Sequence, residues 1–169
     1  DAVNPLTGWQ AHTDPFSFDT HFKPASNIDK FRCGTPGVLS YIALESSLDI
    51  FEMVDMETIR TKSKRLTTLF VDLVESLCDD YPLQLASPRD SNQRGSQVSF
   101  SHSEGWPIMQ ALIAHGVIGD FRAPDLLRFG FAPLYTRYED VWLAASMLAH
   151  ILETECWKDP AYATPKLVT

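Results

Sequence analysis

Between Arg94 and Tyr135 the chain reads as strand, helix, strand, strand, and this order limits the fold more than any other feature. Residues 94–100 open the stretch with period-two alternation. Val98 and Phe100 fall on one side and Gln97 and Ser99 on the other, as on a half-buried strand. Ser103 suits a helix N-cap, with Glu104 in the first turn and Pro107 still near the start. Ile108, Met109, Leu112 and Ile113 then define a buried side, and Gly116 ends the helix. Further strands are expected over 117–121 and 126–131. The last one carries a cation, Arg128, among Leu127, Phe129 and Phe131. Alternation turns Arg128 to the opposite face, where an unpaired buried charge is too costly to persist. It must meet a carboxylate or phosphate, or reach water. Asp120, Asp125 and Glu139 are candidate partners for a structural ion pair, and a bound anion is the alternative.

The elements around this stretch complete one α/β unit. Asp55 caps a helix with Glu57 in its first turn and an inner stripe of Ile59, Ser63, Leu66, Phe70, Leu73, Val74 and Leu77. Arg60, Lys62, Lys64 and Arg65 fall largely on its solvated side. Residues 79–94 break that helix and leave room only for a short strand over 83–86. A final helix over 138–153 buries Val141, Ala145, Leu148 and Leu152. The tail beyond Cys156, with Pro160 and Pro165, is expected to be poorly ordered.

The first 54 residues have no sheet of their own. Residues 1–33 read as loop, and Trp9, Phe16, Phe18 and Phe22 read as core or interface filling. Thr35 suits an N-cap and Pro36 the first helical position of a helix that buries Leu39, Ile42, Ala43, Ser46, Ile50 and Met53. Such a start leaves backbone N–H groups and a positive dipole end able to hold a phosphate; an ordinary capped helix is the plainer reading. The chain therefore divides near residue 54. The earlier part must dock on something, and the chain, opening at Asp1 on a loop, is expected to be a piece of a longer polypeptide.

Composition excludes several functions. A net charge of −8 argues against a broad nucleic-acid surface. No apolar run reaches the length of a membrane span. Cys33, Cys78 and Cys156 are odd in number and far apart, which fits reduced thiols in a cytoplasmic protein. The five histidines lack metal-ligand spacing, so no metal site is expected, and no serine or cysteine lies in a nucleophile elbow.

Five segments together carry a resemblance: Leu6-Thr7-Gly8-Trp9, Cys33-Gly34-Thr35, Arg94-Gly95-Ser96-Gln97-Val98-Ser99-Phe100, Gly116-Val117-Ile118-Gly119-Asp120, and the run from Arg128 to Tyr135. In order and approximate spacing the chain resembles the carboxy-terminal part of the bacterial kynureninases. The resemblance implies a pyridoxal 5'-phosphate enzyme of the aspartate-aminotransferase fold class, usually a homodimer. Its reaction is hydrolysis of L-kynurenine, or 3-hydroxykynurenine, to anthranilate or its 3-hydroxy form and L-alanine. Residues 1–54 would then be a trailing segment and linking helix of the large cofactor domain, and 55–169 the small carboxy-terminal domain. By the same resemblance, Trp9 and Thr35 contact the cofactor and Arg128 grips the substrate α-carboxylate. The family's Schiff-base lysine follows a tyrosine upstream. None of Lys23, Lys30, Lys62, Lys64, Lys158 and Lys166 has that context, so the chain alone is expected to be inactive. The alternative is a non-catalytic module that keeps the small domain for carboxylate binding or interaction.

Overall fold

The computed structural model describes residues 4–164. The chain forms two compact units, one ending at Met53 and the other beginning at Val54.

The first unit is mostly irregular. After a 3-10 turn at Trp9–Ala11, the chain runs out and returns. Thr13 donates to the Lys23 carbonyl at 2.8 Å and Ala25 to the Ala11 carbonyl at 2.9 Å, leaving Ala11 buried. A second 3-10 turn spans Ile28–Phe31, capped by the Asn27 side chain, which accepts from Asp29 N–H. Helix α1 spans Val38–Glu52. Two expectations fail here. The N-cap is Gly37 rather than Thr35, and it offers no side-chain bond. Pro36 therefore precedes the helix, holding its neighbour Thr35 outside helical geometry. None of the apolar positions of α1 is buried: Leu39, Ile42 and Ile50 are all exposed. The spacing marks a face able to be covered, and spacing alone does not supply the cover.

The second unit is a two-layer domain. Helix α2 (Met56–Leu77) starts on Asp55, whose carboxylate accepts from Thr58 N–H at 2.8 Å and from its hydroxyl at 2.7 Å. Those bonds, the hydroxyl's first, hold the Asp55 carboxyl below the usual carboxylate range. Strands β1 (Gln84–Leu85), β2 (Gln97–Ser101), β3 (Asp120–Arg122) and β4 (Leu126–Gly130) form one sheet in the order β1-β2-β4-β3. Every neighbouring pair is antiparallel. Helices α3 (Gly105–Ala114) and α4 (Tyr138–Thr154) join α2 over one face. Phe70 lies at the centre of that layer, its ring 4.8 Å from Phe129, 5.1 Å from Phe131 and 6.1 Å from Phe100 between centroids.

Strand, helix, strand, strand is the observed order, with local differences. The inner stripe of α2 is rotated, so that Thr67 and Val71 are buried while Leu77 is 43% exposed at the helix end. On α3, Ala111 takes the inward place expected of Ile113. Ser103 does not cap α3. The N-cap is Glu104, which offers no side-chain bond to the helix, and its own N–H is taken by the ring of His102, whose Nδ1 accepts it at 2.9 Å. Gly116, at φ +88°, ends the helix as expected, but Val117 N–H then bonds back to the Leu112 carbonyl. That bond keeps the next residues out of the ladder and delays β3 to Asp120. Arg94 precedes β2 instead of lying in it. The expected disorder after Cys156 is replaced, as far as residue 164, by a 3-10 turn at Cys156–Lys158 and a short helix α5 (Pro160–Ala163) capped by Asp159.

Candidate functional site

Arg128 occupies the middle of β4, with Ser99 of β2 as its Cα partner on one side and Asp120 of β3 on the other. Its neighbours Leu127 and Phe129 are buried beneath the helices, which turns Arg128 to the polar face of the sheet. One row of that face thus reads Asp120, Arg128, Ser99 across three strands, with Gln97 donating to the Ser99 hydroxyl at 3.3 Å. The Arg128 side chain is 27% exposed, and its Nη2 is ion-paired with Asp120 Oδ2. Its Nε is buried and has no partner among the described residues. Arg122, two residues along β3, brings its Nε to 3.6 Å from the same Asp120 oxygen. The three charges sum to +1, so the row keeps a positive field despite the internal pair.

Trp9 and Thr35 lie in the first unit, on segments packed side by side. A Cβ on Gly8 would fall 1.7 Å from the Cys33 carbonyl oxygen, so only glycine permits this approach. Cys33 Sγ also donates to the Leu6 carbonyl at 3.3 Å, and Asn4 Nδ2 reaches Cys33 Sγ at 3.4 Å. The Trp9 ring is half-exposed, edge-on to Phe16 at 5.6 Å, and lines an open cleft of about 510 Å³ with Thr7, His12, Asp14 and Phe18. Thr35 is exposed two residues before the Gly37 cap, and a Cβ at Gly34 would meet nothing within 4 Å.

The sequence also held residues whose role it did not reveal. Arg94 is only 7% exposed, and its guanidinium is satisfied by neutral acceptors alone: the carbonyls of Pro88 and Arg89 and the hydroxyls of Thr67 and Thr68. Burial draws its pKa below the usual arginine value. Of the three candidate partners for Arg128, the β3–β4 register selects Asp120. Among the described residues, no cluster of three or more His, Cys, Asp or Glu side chains is placed to hold a metal ion. Nor is any helix long and apolar enough to cross a membrane.

A helix-backed antiparallel sheet with an arginine on its polar face places the second unit in the mixed α-and-β class. Residues 59–148, just over half the chain, match the family model "Kynureninase C-terminal domain". The chain is 52% identical over 165 residues to kynureninases of Burkholderia mallei (strain SAVP1) and Burkholderia pseudomallei (strain K96243). To a kynureninase of Pseudomonas fluorescens it is 42% identical over 165 residues. The alignments cover 98% of this chain and 40% of each relative. The chain belongs to the kynureninase family, and what it represents is the carboxy-terminal portion.

Proposed function

We propose that this chain supplies the substrate-carboxylate grip and part of the cofactor contact in a kynureninase, an enzyme that hydrolyses L-kynurenine or its 3-hydroxy form to the anthranilate and L-alanine. The observation that carries the reading is Arg128: a cation central in a β-sheet, on the polar face, with its side chain partly exposed beyond the ion-paired Nη2. A guanidinium fork matches a carboxylate two bonds at a time, and one arginine so held fixes the orientation of an amino acid. In this reading Arg128 orients the substrate and moves no proton.

Pyridoxal 5'-phosphate, when bound, would supply the electron sink that lets the bond between the β- and γ-carbons of the amino acid substrate be cleaved. The donor set near Thr35 suits its phosphate end. There the Thr35 hydroxyl is exposed, the amino end of α1 has no side-chain cap and no acidic residue in its first turn, and Gly34 leaves open space. The exposed Trp9 ring, on the neighbouring segment, offers an apolar surface and an indole N–H. No lysine here has the family's Schiff-base context, so the 169-residue chain contributes binding and orientation without covalent attachment. The exposed apolar side chains of α1, among them Leu39, Ile42, Leu48 and Phe51, suit packing against the rest of such an enzyme, a cytoplasmic homodimer in this reading.

The test is anthranilate release from L-kynurenine with added pyridoxal phosphate. The 169-residue chain alone should release none, and an enzyme carrying the missing lysine-bearing portion should be active. In that complete enzyme Arg128→Ala should raise KM by about a hundredfold, the value of a charge-assisted hydrogen-bonded pair near 3 kcal/mol. Turnover by the chain alone would overturn the division of labour, and an unchanged KM would overturn the role of Arg128.

A further inference from the structure

We infer that Asp120 is a positioning residue for Arg128, presetting the guanidinium for the substrate carboxylate; this deepens the proposed role of Arg128 and rests on it. The two residues are Cα partners across β3 and β4, so their separation is fixed by the ladder rather than by flexible loops. Asp120 holds the guanidinium through Nη2; the buried Nε is out of a ligand's reach, and Nη1 has no hydrogen bond among the described residues. A carboxylate that takes one corner of the fork fixes its plane while leaving donor capacity for a second anion.

Asp120 has two opposed effects, and their sizes decide the sign. As an anion it competes with substrate for Arg128 and weakens the local field. Asp120 is half-exposed, however, so water and salt screen that repulsion. Arg122, at 3.6 Å from the same oxygen, offsets it further and leaves the cluster net positive. As a tether, Asp120 removes rotamer freedom from a long side chain before substrate arrives. The tether dominates, because the lost freedom is an unscreened cost that binding would otherwise bear in full.

The perturbation is Asp120→Asn in the complete enzyme, with Asp120→Glu and Arg128→Ala made in parallel. Asp120→Asn should raise KM for L-kynurenine about tenfold, a fraction of the rotamer freedom of an arginine, with kcat within about twofold. Inhibition by the corresponding amine, which lacks the α-carboxylate, should not change, and a merely structural defect would alter both. Asp120→Glu, which keeps the charge on a longer arm, should give an intermediate KM and remains informative if the asparagine variant folds poorly. An Asp120→Asn enzyme with unchanged or lowered KM, beside an Arg128→Ala enzyme with raised KM, would overturn the inference and leave the role of Arg128 intact. An unchanged KM in Arg128→Ala would remove both.

Discussion

Replacing Arg94 tests whether a buried cation with no carboxylate in direct contact among the described residues stabilises this domain or burdens it. Its Nη1 donates to the Pro88 carbonyl at 2.9 Å and the Arg89 carbonyl at 2.6 Å, and its Nη2 to Thr68 Oγ1 at 3.0 Å. The Nε bond to Thr67 Oγ1, at 3.4 Å, is long enough to neglect. Hydrogen bonds from a charged donor each contribute roughly 1.5–3 kcal/mol. Against three such bonds stand the desolvation of the guanidinium and about 2 kcal/mol of side-chain entropy. Pro88 and Arg89 are exposed, so water recovers part of what their carbonyls lose. The loop also keeps other ties: Arg60 to the Ser91 carbonyl at 2.6 Å, Lys64 to Asn92 at 2.7 Å, and Ser63 to Ser96 at 2.7 Å. Arg94→Ala should therefore cost about 2–3 kcal/mol. Arg94→Lys should cost less, about 1–2 kcal/mol, because an ammonium cannot fill the whole fork. Urea unfolding followed by amide exchange of Val98 and Phe100 in β2 reads the second unit specifically. The decisive variant is Arg94→Met, which keeps the apolar stem and drops the charge. If it proves as stable as the parent chain, desolvation outweighs the hydrogen bonds and the reasoning fails.

Two other groups give sharp outcomes. His102 must be neutral to accept from Glu104 N–H, and burial pulls its pKa below the usual 6.5, with Glu104 opposing weakly. The unfolded chain then binds the proton more readily, so this contribution is fully present above pH 6.5 and is lost as pH falls below it, at no more than about 1.4 kcal/mol per pH unit. Unfolding of the parent and a His102→Gln variant from pH 5 to 7.5 should show the parent's slope flattened in the variant; parallel curves would refute this. Burial pushes the Cys78 thiol up to about 11, while Cys33 is exposed. A disulfide reagent at pH 8 should modify Cys33 in the folded chain and spare Cys78 until denaturant is added, read by peptide mass; prompt labelling of Cys78 would contradict its burial.

The division between what the residue order carried and what folding decided follows the range of the interactions. Periodicity placed β2 and β4, the inward residues of α4, the Asp55 cap and the outward turn of Arg128, because each depends on neighbours within one or two turns or pleats. Failures came where a hydrogen bond outside the periodic pattern, local or distant, supplied the partner. Helix α3 starts on Glu104 rather than Ser103, with the Glu104 N–H taken by the ring of His102. A bond from Val117 back to Leu112 shortened β3. Arg94 left the strand for a socket on α2 made by Thr67 and Thr68, 26 and more residues away. Arg128 stood out in the linear order as a cation among apolar residues, since burying a lone charge is costly wherever it occurs. The choice of Asp120 over Asp125 or Glu139 as its partner lay beyond that order, because the antiparallel β3–β4 register fixes it, and register is set by packing of the whole sheet. Helix α1 shows the converse: its apolar spacing was fully legible, but whether a face is buried depends on a partner surface, which residue spacing does not encode.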